Sequence, residues 1–402
     1  MKAVRRLLDA PHRVFFFGAA VQILMVSTWW VITLACRASG AALELPAGLE
    51  PARVHAFLMI YGFFPLFIFG FLYTAGPRWL ACAAPKRAAY AAPAILAVAS
   101  AWLMLPAIHA GAGAAAAVLL VTLFAWTWLI AQFVGWIVAS PAEDRLHPIT
   151  VACALAVGLA GVTAARLWLI TGSPVAARFM EAAGLWGFLV PLFATVSHRM
   201  IPFFTASVAP YVMPWRPGWT LAILAGGAVV HGALAAAGLG AWTWIVDAPA
   251  GALAVYLAWR WGFARSFSNR MLAMLHVGFA WMGAAWLLHA LQSALLLAGV
   301  HALGLAPVHA LTTGFLTSLA LALVSRVSRG HSGHTVAADR LTWVVFLVLQ
   351  AAALARVSAD IFLTAYGSLL LLAAGLWLAC FAAWTWRYLP YYWRARADGR
   401  PG

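Results

Sequence analysis

Charge is what this sequence most conspicuously lacks. Only 9% of its 402 residues are Asp, Glu, Lys or Arg, just 10 of them are acidic, and 65% of the chain is hydrophobic. A soluble protein of this size needs a charged surface, and these residues cannot build one, so an ordinary soluble enzyme is excluded. Strict apolar–polar alternation is missing too: the apolar runs are continuous, which excludes a transmembrane β-barrel. Cysteine is scarce and scattered, at Cys36, Cys82, Cys153 and Cys380, with no CxxC or CxxCH spacing. A thioredoxin-like pair, a thiolate zinc site and covalent haem attachment therefore have no support. Nor does any polar stretch run long enough to hold a soluble domain.

What remains is a series of apolar runs of membrane-spanning length, with a mean hydropathy of +0.93 over the chain. Runs of about eighteen or more apolar residues read as transmembrane helices. They predict helices at 14–36, 54–75, 88–109, 114–139, 147–170, 181–197, 218–240, 242–263, 271–299, 302–325, 341–357 and 361–388. The expected fold is an all-α polytopic transmembrane helix bundle of about twelve spans. It forms one integral-membrane domain over 1–402 with short tails at 1–13 and 389–402. The first run is too long for a signal-peptide core and reads as a permanent span. The segment 198–217 carries Pro202, Pro210, Pro214 and Pro217 and reads as an interfacial connection, apolar at Ile201–Phe204.

The net charge of +15 invites a nucleic-acid partner until its distribution is traced. With an internal N-terminus, twenty of the 25 basic residues fall in one set of loops and tails, four in the other, and Arg166 inside a helix. That asymmetry is a positive-inside signature. It predicts a multi-pass protein of the bacterial inner membrane with both termini cytoplasmic, the lipid bilayer as its partner and no nucleic acid. Aromatic residues near predicted helix ends, such as Trp29, Trp30, Trp242 and Trp244, fit interfacial belts. A short echo, Val54-His55-Ala56-Phe57 and Val308-His309-Ala310-Leu311, stands where two helices enter from the same face.

Histidine is the anomaly, with twelve residues against ten acidic ones. Neutral imidazole tolerates low dielectric better than a carboxylate does and ligates iron, copper and zinc. On the predicted topology His55, His289, His301 and His309 lie towards one face, and His12, His147, His198, His276, His331 and His334 towards the other. His109 and His231 stand near outer helix ends. Arg166 and Asp247 are the charges within spans, and each reads equally as a locally paired structural group. Met59, one turn below His55, offers a thioether or simple packing. Thr312, Thr313 and Thr317 either orient the His309 imidazole or bond back to their own helix. Gly62, Gly70 and Gly76 leave room for close helix packing or for a flat macrocycle.

Five stretches carry a resemblance: PHRVFFFGAA (11–20), VHAFLMIYGFFPLFIFGFLYTAGPRWL (54–80), SHRMIPFFT (197–205), LHVGFAW (275–281) and VHALTTG…SRVSRGHSG (308–333). In this order they resemble the NnrS family of multi-pass membrane proteins, which contain haem and copper and are linked to bacterial nitric oxide metabolism and nitrosative stress. The resemblance implies functional histidines at His55, His276, His309 and His331, with His12 and Arg13 in the N-terminal motif. It also implies basic positions at Arg199, Arg326 and Arg329, suited to haem propionates. Haem b and copper would be the cofactors, and pairs such as His55/His309 or His12/His276/His331 the ligands. One departure stands out. The family pattern His-x-His-Glu-Met reads His55-Ala56-Phe57-Leu58-Met59 here, so a site needing the second histidine and the glutamate is missing or rebuilt. His198 replaces a small residue.

The resemblance implies binding or processing of nitric oxide or a nitrosyl species at His-ligated haem, with an electron donor as a further partner. Whether that is turnover by an oxidoreductase, carriage or sensing stays open at this stage, because no carboxylate channel is visible. The alternative is a twelve-span transporter of haem, a metal or a small metal–nitrosyl complex.

Overall fold

The computed structural model describes residues 2–399 apart from Ala42 and Ala47. Among the described residues all regular structure is helical. The spans are α1 (Pro11–Ala38), α2 (Pro51–Trp79), α3 (Arg87–Ala110), α4 (Ala112–Ala139), α5 (Leu146–Thr171), α6 (Pro174–Val208) and α7 (Gly218–Ala236). After α8 (Trp244–Arg260) come α9 (Arg270–Leu297), α10 (Ala306–His331), α11 (Arg340–Ala359) and α12 (Leu363–Trp393). Eleven are long and apolar enough to cross a membrane. The remaining one, α8, has 17 residues and carries Asp247 in its first turn. At 1.5 Å per residue it reaches roughly 25 Å, slightly short of a hydrocarbon core of about 30 Å.

Local chemistry sets the boundaries. Proline opens α1, α2 and α6, where its missing N–H costs nothing. Ser173, Asn269 and Asp339 cap α6, α9 and α11 by accepting the backbone N–H groups of Ala176, Leu272 and Thr342. Gly172 closes α5 at φ 66°, a left-handed conformation that glycine enters without strain, and its N–H donates to the Trp168 carbonyl at 2.7 Å.

The expected boundary of the sixth span needs correction. Instead of 181–197 with an interfacial connection beyond it, α6 runs 35 residues and takes Ile201–Phe204 into the helix. Pro202 sits inside the helix, whose other residues keep the path continuous.

The backbone gathers into two compact units. One comprises residues 1–188, 327–335 and 381–402; the other comprises 189–326 and 336–380. In the first, α1 packs on α2 and α3, α3 on α4, and α4 on α5. Phe15, Phe16, Phe63, Phe64 and Trp126 fill this unit's interior. Gly70 admits Phe16 and Phe15, Gly76 admits Phe133, and Gly62 faces the Gln22 amide, so the three glycines of α2 serve helix packing. In the second unit α8 packs on α9, α9 on α10, and α7 on α8.

Three spans carry the same interruption. α2, α6 and α10 each widen into a π segment, at Leu58–Phe63, Ala183–Leu189 and Ala310–Leu316. Each segment contains a Gly-Phe pair: Gly62-Phe63, Gly187-Phe188 and Gly314-Phe315, with all three phenylalanines fully buried. The two Val-His-Ala stretches lie at the start of two of these segments, His55 three residues before the first and His309 one residue before the other. In the first segment Tyr61 donates to the Met180 carbonyl at 2.7 Å, and a Cβ on Gly161 or Gly184 would collide with its hydroxyl. A fourth π segment, Ala222–Gly226 in α7, lacks the phenylalanine.

Candidate functional site

Two of the predicted histidines meet. His12, one residue into α1 and 4% exposed, places its ring centre 4.7 Å from that of His331 at the end of α10, with the planes tilted by 49°. His12 Nδ1 is buried and has no hydrogen-bond partner. Around this pair the C-terminal tail folds back. Arg13, 2% exposed, donates through Nη1 to the carbonyls of Tyr392 at 3.2 Å and Arg394 at 3.0 Å. Arg396 donates to the His331 carbonyl at 3.1 Å and forms a two-point ion pair with Asp398, which holds its guanidinium above the usual range. Arg329 donates to the Thr335 carbonyl at 2.9 Å, and Ser328 meets the Tyr392 hydroxyl at 2.8 Å. Of the arginines expected to hold propionates, Arg329 thus has a backbone partner, as does Arg13 of the N-terminal motif. Arg326 instead lies over the Phe204 ring, 3.9 Å from its centre.

The other predicted histidines have partners of other kinds. His55 stacks on Trp30 with centres 4.2 Å apart and planes at 13°. His276, fully buried on α9, has Nε2 2.9 Å from Thr205 Oγ1, and that hydroxyl also donates to the Ile201 carbonyl at 2.9 Å. A hydroxyl has one proton to give, so the imidazole must be the donor in the first contact. His276 therefore carries its proton on Nε2, and Nδ1 presents a lone pair with no hydrogen-bond partner. His309 follows the same logic with the nitrogens exchanged: Nδ1 lies 3.0 Å from the Leu305 carbonyl, which only accepts, so Nε2 is left with the lone pair. His276 thus shows the pattern of a ligating histidine, with one nitrogen held by a hydrogen bond and the other without one. Of the two readings of the threonines, Thr312 and Thr317 follow the bond back to their own helix. Thr312 donates to Val308 O and Thr317 to Thr312 O, each at 2.8 Å, so their hydroxyls serve their own helix.

Where the family has a second histidine and a glutamate, Phe57 and Leu58 are buried at 2% and 0% exposure. Packed apolar side chains occupy those positions, and Phe57 lies 5.8 Å from Tyr61, ring centre to ring centre. His198 is also fully buried, and its Nε2 pairs with Thr220 Oγ1 at 2.8 Å.

A family model described as NnrS protein matches residues 6–396. The chain belongs to the NnrS family. Among curated proteins no match is found. For an NnrS chain the haem test falls on individual imidazoles. Imidazoles on opposite sides of one iron, each bonded at about 2 Å, hold their ring centres roughly 6 Å apart. The His12–His331 pair, at 4.7 Å, is too close to flank a single haem iron in this arrangement. His276, with Nδ1 buried and without a hydrogen-bond partner, has the nitrogen that one ligating imidazole would need. Among the described residues no group of three or more His, Cys, Asp and Glu has metal-holding geometry. A cavity of about 520 Å³ lies elsewhere, lined by Val255, Trp259, Arg260, Arg265 and Ala280.

Sequence reasoning passed over one cluster entirely. His231 on α7 and Asp247 on α8 bond at 2.7 Å, with His289 of α9 beside them. A signal was present: the two residues stand equidistant from Leu239 in a tight helical hairpin, which brings such positions face to face.

Proposed function

We propose that this membrane protein binds haem b, with copper as a possible second metal, and acts in the bacterial nitric oxide response by binding or processing nitric oxide or a nitrosyl species. Membership of the NnrS family supports the link to nitric oxide. The observation that carries the haem reading is His276, whose proton is held on Nε2 by Thr205 while its buried Nδ1 has no hydrogen-bond partner. Bound haem iron supplies a coordination position for a diatomic molecule. The chain's own contribution is to fix the His309 tautomer and ring plane at the head of a π segment, a type of helix irregularity enriched at functional sites. His309, whose Nδ1 lies 3.0 Å from the Leu305 carbonyl, would be the second residue to hold the group. An electron donor is the partner that reductive processing would require. The charge asymmetry of the loops supports an inner-membrane location with both termini cytoplasmic, to be checked with reporter fusions at each end.

The test is optical. Detergent-purified protein is expected to be red, with a Soret band that shifts on reduction and on addition of nitric oxide. His309→Ala is expected to remove or alter the bound haem while membrane insertion continues, because insertion depends on helix hydrophobicity. A normal haem spectrum and stoichiometry in that variant excludes His309 as a ligand. Colourless wild-type protein without stoichiometric iron or copper favours the transporter. The observation on that side is the matched interruption of α2 and α10 after Val-His-Ala, since interrupted spans in corresponding positions mark substrate sites in carriers.

A further inference from the structure

Asp247 is a carboxylate with no exposed surface, in the first turn of α8. A charged group inside a helix bundle is costly, and such residues mark ion and proton paths when they are retained. Its surroundings come from three helices. His231 of α7, 5% exposed, donates Nδ1–H to Asp247 Oδ1 at 2.7 Å, while Asp247 Oδ2 is buried without a hydrogen-bond partner. His289 of α9, 6% exposed, sets its ring edge-to-face against His231, with centres 4.9 Å apart and planes at 73°. One helical turn earlier Trp286 closes another side of His231 at 6.0 Å. Ser293 accepts the Trp244 N–H at 3.1 Å and ties the start of α8 to α9.

We infer that Asp247, His231 and His289 form a buried proton-binding site, close to the 237–243 turn and at the opposite end of the hairpin from Arg216 and Arg260. Charge counting carries the argument. With both imidazoles neutral the cluster holds one uncompensated negative charge away from water. A single added proton, accepted from water on an imidazole lone pair with no bond broken, turns it into a neutral carboxylate–imidazolium pair. The second imidazole gives that proton an alternative seat 4.9 Å away. A metal ion is the less suitable occupant, because the His231–carboxylate contact is already bridged by a proton and no described group of three has metal-holding geometry.

The titratable groups on neighbouring elements are engaged elsewhere. On α8, Arg260 lies at the far end and Tyr256 packs against Trp215. On α9, Arg270 opens the helix at its far end and His276 bonds Thr205. His198 of α6 bonds Thr220 near the start of α7, and Arg199 follows it on the same helix. His309 of α10 is held by Leu305, and Arg356 of α11 pairs with Asp360. The turn between α7 and α8 contributes Gly240, Ala241 and Trp242, none of which titrates. This site is independent of the haem reading.

The experiment is a pH titration of the full-length protein in lipid nanodiscs, followed by infrared difference spectroscopy of carboxylate and imidazole bands. Wild type is expected to show one coupled carboxylate–imidazole transition that disappears in Asp247→Asn. His289→Gln removes the second seat without touching the ion pair, and is expected to change the proton affinity at least about tenfold, one unit on the pH axis. It also serves as the readout if Asp247→Asn fails to fold. Either of two results overturns the inference. One is an Asp247→Asn or His289→Gln difference spectrum superimposable on wild type. The other is a stoichiometric transition metal in wild type that His289→Gln loses, which would make the cluster a metal site.

Discussion

Two pairs of facing imidazoles occupy this molecule, and they are built in opposite ways. His12 and His331 stand 4.7 Å apart beside Arg13, which donates to the carbonyls of the folded-back tail, and Arg396, which donates to the His331 carbonyl. His231 and His289 stand 4.9 Å apart beside Asp247, with Trp286 against the His231 ring. Ring separation alone would class them together. The difference lies in what each pair is asked to neutralise: the first adds nothing to an end already rich in positive charge, whereas the second shares a proton with a carboxylate. Proximity between histidines is thus a weak guide to chemistry, and the sign of the nearest fixed charge is a strong one.

The comparison can be broken by mutation, and the largest expected effect is at the arginine-rich end. Arg13→Ala removes two charge-assisted bonds from a buried guanidinium, each worth about 1.5–3 kcal/mol. It should lower stability by about 3 kcal/mol, read as the unfolding midpoint in detergent; an unchanged midpoint would mean the tail is not held there. Next, Asp247→Ala leaves the His231 Nδ1–H buried without its acceptor and should cost about 1–3 kcal/mol in the same assay. Asp247→Asn, which retains an acceptor oxygen, should recover most of that loss. Gly70→Ala drives a methyl group into Phe16 and should cost about 1–2 kcal/mol by overpacking, separating crowding from charge in the first unit. The smallest effect is expected for Arg396→Ala. Its pair with Asp398 is largely solvated, so about 0.2–1 kcal/mol is at stake. A loss as large as that of Arg13→Ala would show that the tail depends on the His331 carbonyl contact instead.

Most span positions were legible because hydrophobic length is a local property: 54–75 and 271–299 became Pro51–Trp79 and Arg270–Leu297. The reading failed at α6, where four prolines in 198–217 suggested a break and only Pro202 proved to lie within helix. For the site, the sequence offered residue types without pairings. His12 and His331 are separated by most of the chain, and no pattern in composition brings them together. Tautomers were equally invisible: that His309 keeps its lone pair on Nε2 follows from one backbone carbonyl, a fact of geometry. Asp247 was read as a charge awaiting some local partner, because its imidazole lies across a hairpin and not along its own helix.

The widened turn that recurs in α2, α6 and α10 has a consequence for how these spans present themselves. Adding one residue to a turn shifts the azimuth of everything downstream by about 100°. A single rod can therefore turn its entrance half to one neighbour and its exit half to another. Deleting one residue inside 58–63 would turn the wide turn into a regular one and leave both ends of the rod on their present headings.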